Sequence, residues 1–238
     1  MQRVVVVVPT YNEAENLPLL VPRVLEQDPR LHVLVVDDHS PDGTGKLADE
    51  LAALHARVHV LHRSAKQGLG PAYRAGIRRA LELGADAVVQ MDADFSHPPE
   101  TLPELLRELE SHDVVQGSRY LDGITVVNWP IERILISWFG NWYARKVTGL
   151  RISDTTGGFR CMRREAVEAI RFEHIRADGY AFQIEMNYRC QRRGLRIKEI
   201  PFFFLDRRRG TSKLTLRIGL EALWIVWWLR LAALAGRL

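Results

Sequence analysis

Five short apolar runs, set between amphipathic stretches, constrain this chain more than any other feature. They cover residues 4–8, 32–37, 58–61, 87–91 and 114–116. The first is five consecutive valines. Each run is too short for a stable helix, and β-branched side chains suit a pleated backbone. A strand without polar alternation is buried on both faces, which is the signature of a parallel sheet. Between the runs, apolar residues recur at helical spacing. Residues 13–26 place Leu17, Leu20, Val21, Val24 and Leu25 on one face, and residues 44–54 align Leu47, Leu51 and Leu54. Residues 71–83 and 99–109 read as further helices, the second with proline in its first turn. The alternation predicts an α/β fold: a Rossmann-like, mainly parallel sheet flanked by helices.

The second half is less regular. Residues 119–150 are rich in Trp, Arg and aliphatics; 155–158 read as a turn, 181–192 as a helix, 195–200 as a strand and 207–213 as a basic loop. Residues 214–238 read as a C-terminal amphipathic helix. No repeat or linker divides the chain, so 1–213 is expected to form one domain, with 214–238 as an appendage.

Ligands of open α/β sheets bind beyond the carboxyl ends of the strands. Three polar clusters follow those ends: Pro9-Thr10-Tyr11-Asn12-Glu13, Asp37-Asp38 and Asp92-Ala93-Asp94. Residues i and i+2 of a strand share a face, so Asp92 and Asp94 offer paired hard oxygen ligands. Such a pair suits Mg²⁺ or Mn²⁺ on a diphosphate. A turn would explain any one of the clusters; three on one rim point to a nucleotide site. Asp42-Gly43 also fits a plain turn, Asn12 a helix cap and Glu13 a first-turn acid. Gly68-Leu69-Gly70 does not follow the first strand, and no Walker A pattern occurs, which disfavours dinucleotide-binding and P-loop readings.

The formal charge of +4, with 33 Lys and Arg, favours phosphate-bearing partners. Nucleic acid is disfavoured, because no basic helix, zinc spacing or aromatic RNA-binding motif is present. The two cysteines, Cys161 and Cys190, form no C-x-x-C pair and read as free buried thiols. No stretch has the ~20 apolar residues that span a bilayer. Residues 222–229 come nearest, flanked by Glu221 and Arg230. There Trp224, Trp227 and Trp228 form a stripe suited to a membrane interface, or to packing on the domain.

In order along the chain stand Val8-Pro9-Thr10-Tyr11-Asn12-Glu13, Val36-Asp37-Asp38-His39-Ser40-Pro41-Asp42-Gly43-Thr44, Lys66-Gln67-Gly68-Leu69-Gly70 and Met91-Asp92-Ala93-Asp94-Phe95-Ser96-His97-Pro98. They are followed by Gly117-Ser118-Arg119-Tyr120, Asp154-Thr155-Thr156-Gly157-Gly158-Phe159-Arg160 and Gly210-Thr211-Ser212-Lys213-Leu214. Over residues 4–214 this set resembles the inverting family 2 glycosyltransferases of the GT-A fold. Within them it is most similar to polyprenol (dolichol) monophosphate mannose synthases.

The resemblance implies a GDP-mannose donor, a polyprenyl phosphate acceptor and a divalent metal. It implies that Pro9, Tyr11, Glu13, Val36 and Asp38 line the nucleoside. Asp92, Ala93, Asp94 and Ser96 would surround the diphosphate, with Asp92, Asp94 and Ser96 at the metal. Arg119, Arg133 and Ser137 would seat the attacking phosphate. Arg207 and Lys213 would stabilise the departing diphosphate, and Glu185 would organise charge near the reacting groups. Asp154-Thr155 fits either the acceptor end or a structural turn. A peripheral protein at the cytoplasmic face of the membrane is implied as well. Two rivals stay open at this point: a UDP-sugar enzyme of the same fold, and a nucleotide-sugar-binding module without catalysis.

Overall fold

The computed structural model describes residues 1–175, 177–205 and 216–235. Nine strands and eight α-helices occur among them. In chain order they are β1 (Val4–Thr10), α1 (Leu17–Gln27), β2 (Leu31–Asp37), α2 (Thr44–Leu54), β3 (Val58–His62) and α3 (Leu69–Glu82). Next come β4 (Ala87–Gln90), α4 (Leu102–Leu109), β5 (Val114–Ser118), β6 (Val126–Val127), α5 (Ile131–Thr148), β7 (Arg160–Arg163) and α6 (Arg164–Ala169). The last are α7 (Gly179–Arg192), β8 (Ile197–Pro201), β9 (Phe204–Leu205) and α8 (Leu216–Leu234).

Seven strands form one sheet in the order β3-β2-β1-β4-β7-β5-β8. All its pairings are parallel except those of β7, which lies antiparallel between β4 and β5. β6 and β9 form a separate parallel pair. Successive residues of β1 serve opposite faces, as a pleated strand must. Val4, Val6 and Val8 pack with α1 and α4. Val5 and Val7 pack with α3 and α7. A third cluster joins α5, α7 and α8 through Ala144, Ile184, Tyr188, Ile225, Val226 and Leu229.

The five apolar runs are the five parallel strands β1 to β5, and the predicted face of α1 is buried residue for residue. Two readings need correction. α1 begins at Leu17, so Glu13 is not a first-turn acid and Asn12 is not its cap. Asn12 instead adopts φ 62° in the loop before the helix. In α2 the buried residues are Thr44, Gly45 and Ala48, whereas Leu54 is exposed. The cause is close approach: a Cβ on Gly45 would lie 3.0 Å from Asp37 Oδ2. α8 packs on α5 and α7.

Gly68-Leu69-Gly70 has a packing role. The Gly70 amide donates to Asp178 Oδ1 at 2.6 Å, and Asp178 also caps α7 by accepting from the Gly179 amide at 2.7 Å. A Cβ on Gly68 would come within 1.9 Å of the Asp178 carboxylate. The two glycines therefore let one acid tie the starts of α3 and α7 together.

Candidate active site

The rim clusters lie at the ends of β1, β2 and β4. Asp37 is buried and structural: it accepts from Thr10 Oγ1 at 3.1 Å and from Ser40 Oγ at 2.6 Å. Asp42 likewise ties two loops, accepting from the Thr44 amide at 3.0 Å and the Ala14 amide at 3.1 Å. The Glu13 amide donates to Thr44 Oγ1 at 2.9 Å, while the Glu13 carboxylate accepts from Asn16 at 2.8 Å. These bonds fix the loop that presents Tyr11. Its ring is half-buried, with Lys66 Nζ 3.8 Å above the centroid. Pro9 is paired with Val36 across β1 and β2. The Val36 side chain is enclosed in the core against Val7 and α3, so it lies beneath the rim instead of facing a ligand.

Asp38 is buried and paired with Arg63, whose other terminal nitrogen donates to Gln67 at 2.8 Å. Burial raises the Asp38 carboxyl above its ordinary value, and the Arg63 charge opposes that rise.

Asp92-Ala93-Asp94 stands in the bend just past β4, whose last residue is Gln90. Three contacts shape the bend. Tyr73 donates to Asp92 Oδ1 at 3.0 Å, and the Asp92 amide donates to His97 Nδ1 at 2.9 Å. Asp94 Oδ1 accepts from the Ser96 amide at 3.1 Å and hydroxyl at 2.6 Å. Ala93 is buried in the core below, and Phe95 takes φ 63°. Sequence reasoning gave His97 no role. Its ring is buried, stacked on Phe159 at 4.8 Å, and burial holds its pKa below the ordinary value. The Asp92 bond requires the neutral ring to carry its proton on Nε2. The only sequence signal was its place three residues after the second aspartate.

Among the described residues no three His, Cys, Asp or Glu side chains converge on a metal position. The donor set is two neighbouring carboxylates with Ser96 beside them. That set fits a hard cation which keeps water and substrate oxygens in its shell, as Mg²⁺ does, and not a closed zinc site.

Arg119, Arg133 and Ser137 come together around two aromatic residues. The Arg119 guanidinium bonds Asp154 through two nitrogens, each at 2.7 Å, and Thr156 Oγ1 at 2.8 Å. Burial would raise the Asp154 carboxyl, but the Arg119 charge and hydrogen bonds hold it below its ordinary value. Arg119 also lies 5.7 Å from the Trp129 ring centroid, and Arg133 stacks on the same ring at 3.9 Å. Tyr120 donates to Ser137 Oγ at 2.7 Å. Trp129 and Tyr120 are thus supports that the sequence did not assign, while Asp154, expected either at the acceptor end or in a turn, grips Arg119.

Arg133 and Ser137 belong to the inner face of α5, which continues through Asn141, Ala144 and Thr148. The outer face exposes Ile131, Leu135, Ile136, Trp138, Phe139 and Trp142. α8 lies alongside, buries Val226 and Leu229, and exposes Trp224, Trp227, Leu231 and Leu234. Trp228 of the expected stripe is half-buried against the domain. Among the described residues no helix is long and apolar enough to cross a membrane.

Glu185 is fully buried on α7, where its carboxylate accepts from Arg189 at 2.7 and 2.9 Å and from the Ala177 amide at 3.3 Å. Arg207 and Lys213 lie outside the described residues. Cys161 and Cys190 are free and buried, and burial pushes both thiols up to about 12.

The profile of glycosyl transferase family 2 matches residues 5–171. The undecaprenyl-phosphate mannosyltransferase of Micrococcus luteus is 49% identical over 213 residues, covering 90% of this chain and 88% of its own length. The polyprenol monophosphomannose synthase of Mycolicibacterium smegmatis is 48% identical over 216 residues, covering 90% and 82%. In fold the chain is similar to Mycobacterium tuberculosis glucosyl-3-phosphoglycerate synthase solved with Mn²⁺ and UDP-glucose. That similarity has a TM-score of 0.65 at 18% identity, covering 99% of this chain and 79% of the other. A GT-A-like sheet, the rim of acids and the match over most of its length establish that this chain is a glycosyltransferase of family 2.

Proposed function

We propose that the chain transfers mannose from GDP-mannose to a polyprenyl phosphate with inversion at the anomeric carbon. The observation that carries this reading is the inverted polarity of α5. Its inner face brings Arg133 and Ser137 beside Arg119, while its outer face is apolar and exposed. A cationic seat beneath a greasy helix suits a phosphate attached to a long hydrocarbon. The names of the two bacterial relatives point the same way.

The reaction asks little proton chemistry of the protein. A phosphate monoester has its second pKa near ~6, so its oxygen is largely ionised at neutral pH. That oxygen attacks the anomeric carbon from the face opposite the diphosphate. The carbon–diphosphate bond breaks, and GDP leaves with the electron pair. Arg119 and Arg133 hold the nucleophile in line, and Ser137 offers a hydrogen bond. Asp92 and Asp94 would hold the metal, with Ser96 beside them. A bound Mg²⁺ or Mn²⁺ supplies charge neutralisation on the diphosphate. Arg207 and Lys213 add positive charge for the leaving group. Tyr11, Glu13 and Pro9 form the nucleoside edge. The Asp38 carboxylate is suited to the paired N–H donors of guanine, which uracil lacks. Glu185, with Arg189, organises charge in α7.

The exposed faces of α5 and α8 would rest on the membrane from the cytoplasmic side, where nucleotide sugars are found. Arg145, Lys146 and Arg230 are exposed near these faces and would favour anionic headgroups.

A thermal-shift panel tests the donor assignment. GDP and GDP-mannose with Mg²⁺ or Mn²⁺ should raise the Tm, with EDTA removing most of the gain. Equal stabilisation by UDP-glucose, or none by any guanine nucleotide, would overturn it.

A further inference from the structure

Arg160 has the largest fully buried side chain among the described residues, and nothing in the reaction uses it. It begins β7, directly across from Gln90 on β4 and Gln116 on β5. Each shares a strand face with a residue of the core beneath α7: Met162, Val88 and Val114. Three polar side chains of adjacent strands therefore face one helix. That helix answers with Gln183 and Asn187, one turn apart and both buried.

The carbonyls of a single loop are received by this group. Arg160 Nη2 donates to Gly157 O at 2.8 Å, and Asn187 Nδ2 donates to Thr155 O at 3.1 Å. Gln116 Nε2 donates to Asp154 O. The loop has no slack above them. A Cβ on Gly157 would lie 3.3 Å from Gln116 Nε2, and one on Gly158 3.2 Å from Gln183 Nε2. The same loop carries Asp154, which grips Arg119.

Eight atoms of the group find no partner among the described residues. Four are nitrogens: Arg160 Nε and Nη1, Gln90 Nε2 and Gln183 Nε2. Four are acceptor oxygens: those of Gln90, Gln116, Gln183 and Asn187. Buried polar atoms left unpaired are costly, so such a concentration needs an occupant. An anion would want donors alone, and a cation acceptors alone. A balanced set is matched by water, which both gives and accepts. Burial lowers the Arg160 pKa to about 10, so the guanidinium remains charged at neutral pH.

We propose that Arg160 centres an internal hydrated chamber, and that it is a positioning residue for the acceptor phosphate, acting through the Asp154–Gly158 loop and Arg119. This rests on the acceptor reading of Arg119 above. The chamber's waters bridge the Arg160 guanidinium to Gln90 and Gln183, and the loop sits on this framework.

Steady-state kinetics of the full chain test it. Arg160→Met should raise the KM for polyprenyl phosphate by about 10-fold or more, with donor KM and kcat changed by less than about 3-fold. Arg160→Lys, which keeps the charge on a single donor nitrogen, should recover part of the loss. A fall in kcat alone, or equal losses toward both substrates, would overturn the positioning role. Should Arg160→Met fail to fold, Asn187→Leu removes the Thr155 O contact from the helix side and should give the same split. An unchanged acceptor KM in that variant overturns the proposal. If wild type itself makes no product, the acceptor reading fails instead. The chamber is then judged by a high-resolution crystal structure: ordered waters on Arg160 Nε and Nη1 support it, and a dry or collapsed cluster refutes it.

Discussion

Asp92 and Asp94 are held by different means. Asp92 is fixed from below by Tyr73 and through its own amide by His97, whereas Asp94 is fixed by Ser96. Replacing Asp94 with Asn keeps the shape and removes the charge. Transfer should fall by about 100-fold or more, with the Tm little changed, and a wild-type rate in this variant would remove the Asp94 charge from the reaction. His97 predicts a pH effect with a definite sign. Burial depresses its folded pKa, so the native ring stays neutral while the unfolded one takes a proton below about 6.5. Its contribution to stability is present above that pH and is lost as the pH falls towards the folded value. His32 and His59, lowered chiefly by burial, act in the same direction. Melting curves from about pH 7.5 to 5.5 should show a falling Tm, with a shallower fall for His97→Gln. An identical slope in that variant would rule His97 out as a contributor. Asp154 differs: removing its charge takes away the carboxylate that two nitrogens of the buried Arg119 guanidinium bond. Asp154→Asn should cost roughly 3–5 kcal/mol in denaturant unfolding and weaken acceptor use.

At the level of elements, α5 and α8 carry the case for a lipid surface. All six tryptophans of the chain lie on these helices or immediately before α5. Replacing Trp138, Phe139, Trp224 and Trp227 together with Ser should cut cosedimentation with anionic vesicles by about 10-fold or more. Turnover of a short, water-soluble polyprenyl phosphate should survive. Undiminished vesicle binding would mean that these faces meet something else. The elements also show what a sequence can reveal. The face of α1 was legible because its apolar residues point at the sheet, as periodicity assumes. α5 was not, because its polar side faces inward and its apolar side outward. β7 was missed for a related reason: Arg160-Cys161-Met162-Arg163 is four residues long with charged ends, and no apolar run announces it. Asp92 and Asp94 were legible as a pair of acids. Their support by Tyr73 and His97, and the seating of Arg119 by Asp154 from 35 positions away, depend on contacts distant in sequence.

Across the whole molecule the sheet separates two tasks. The β1, β2 and β4 ends carry Tyr11, Asp38, Asp92 and Asp94, the proposed donor side. Beyond antiparallel β7, the end of β5 presents Arg119, joined there by Arg133 and Ser137 of α5. The sugar would cross from one half to the other, with the lipid entering beside α5. The direct test is to incubate the purified chain with GDP-mannose, Mg²⁺ or Mn²⁺ and polyprenyl phosphate, then extract with organic solvent. The account predicts a mannose-bearing lipid that appears only with metal and is lost in Asp94→Asn. Organic-soluble sugar formed from UDP-glucose but not from GDP-mannose, or no lipid product from any nucleotide sugar, would contradict it.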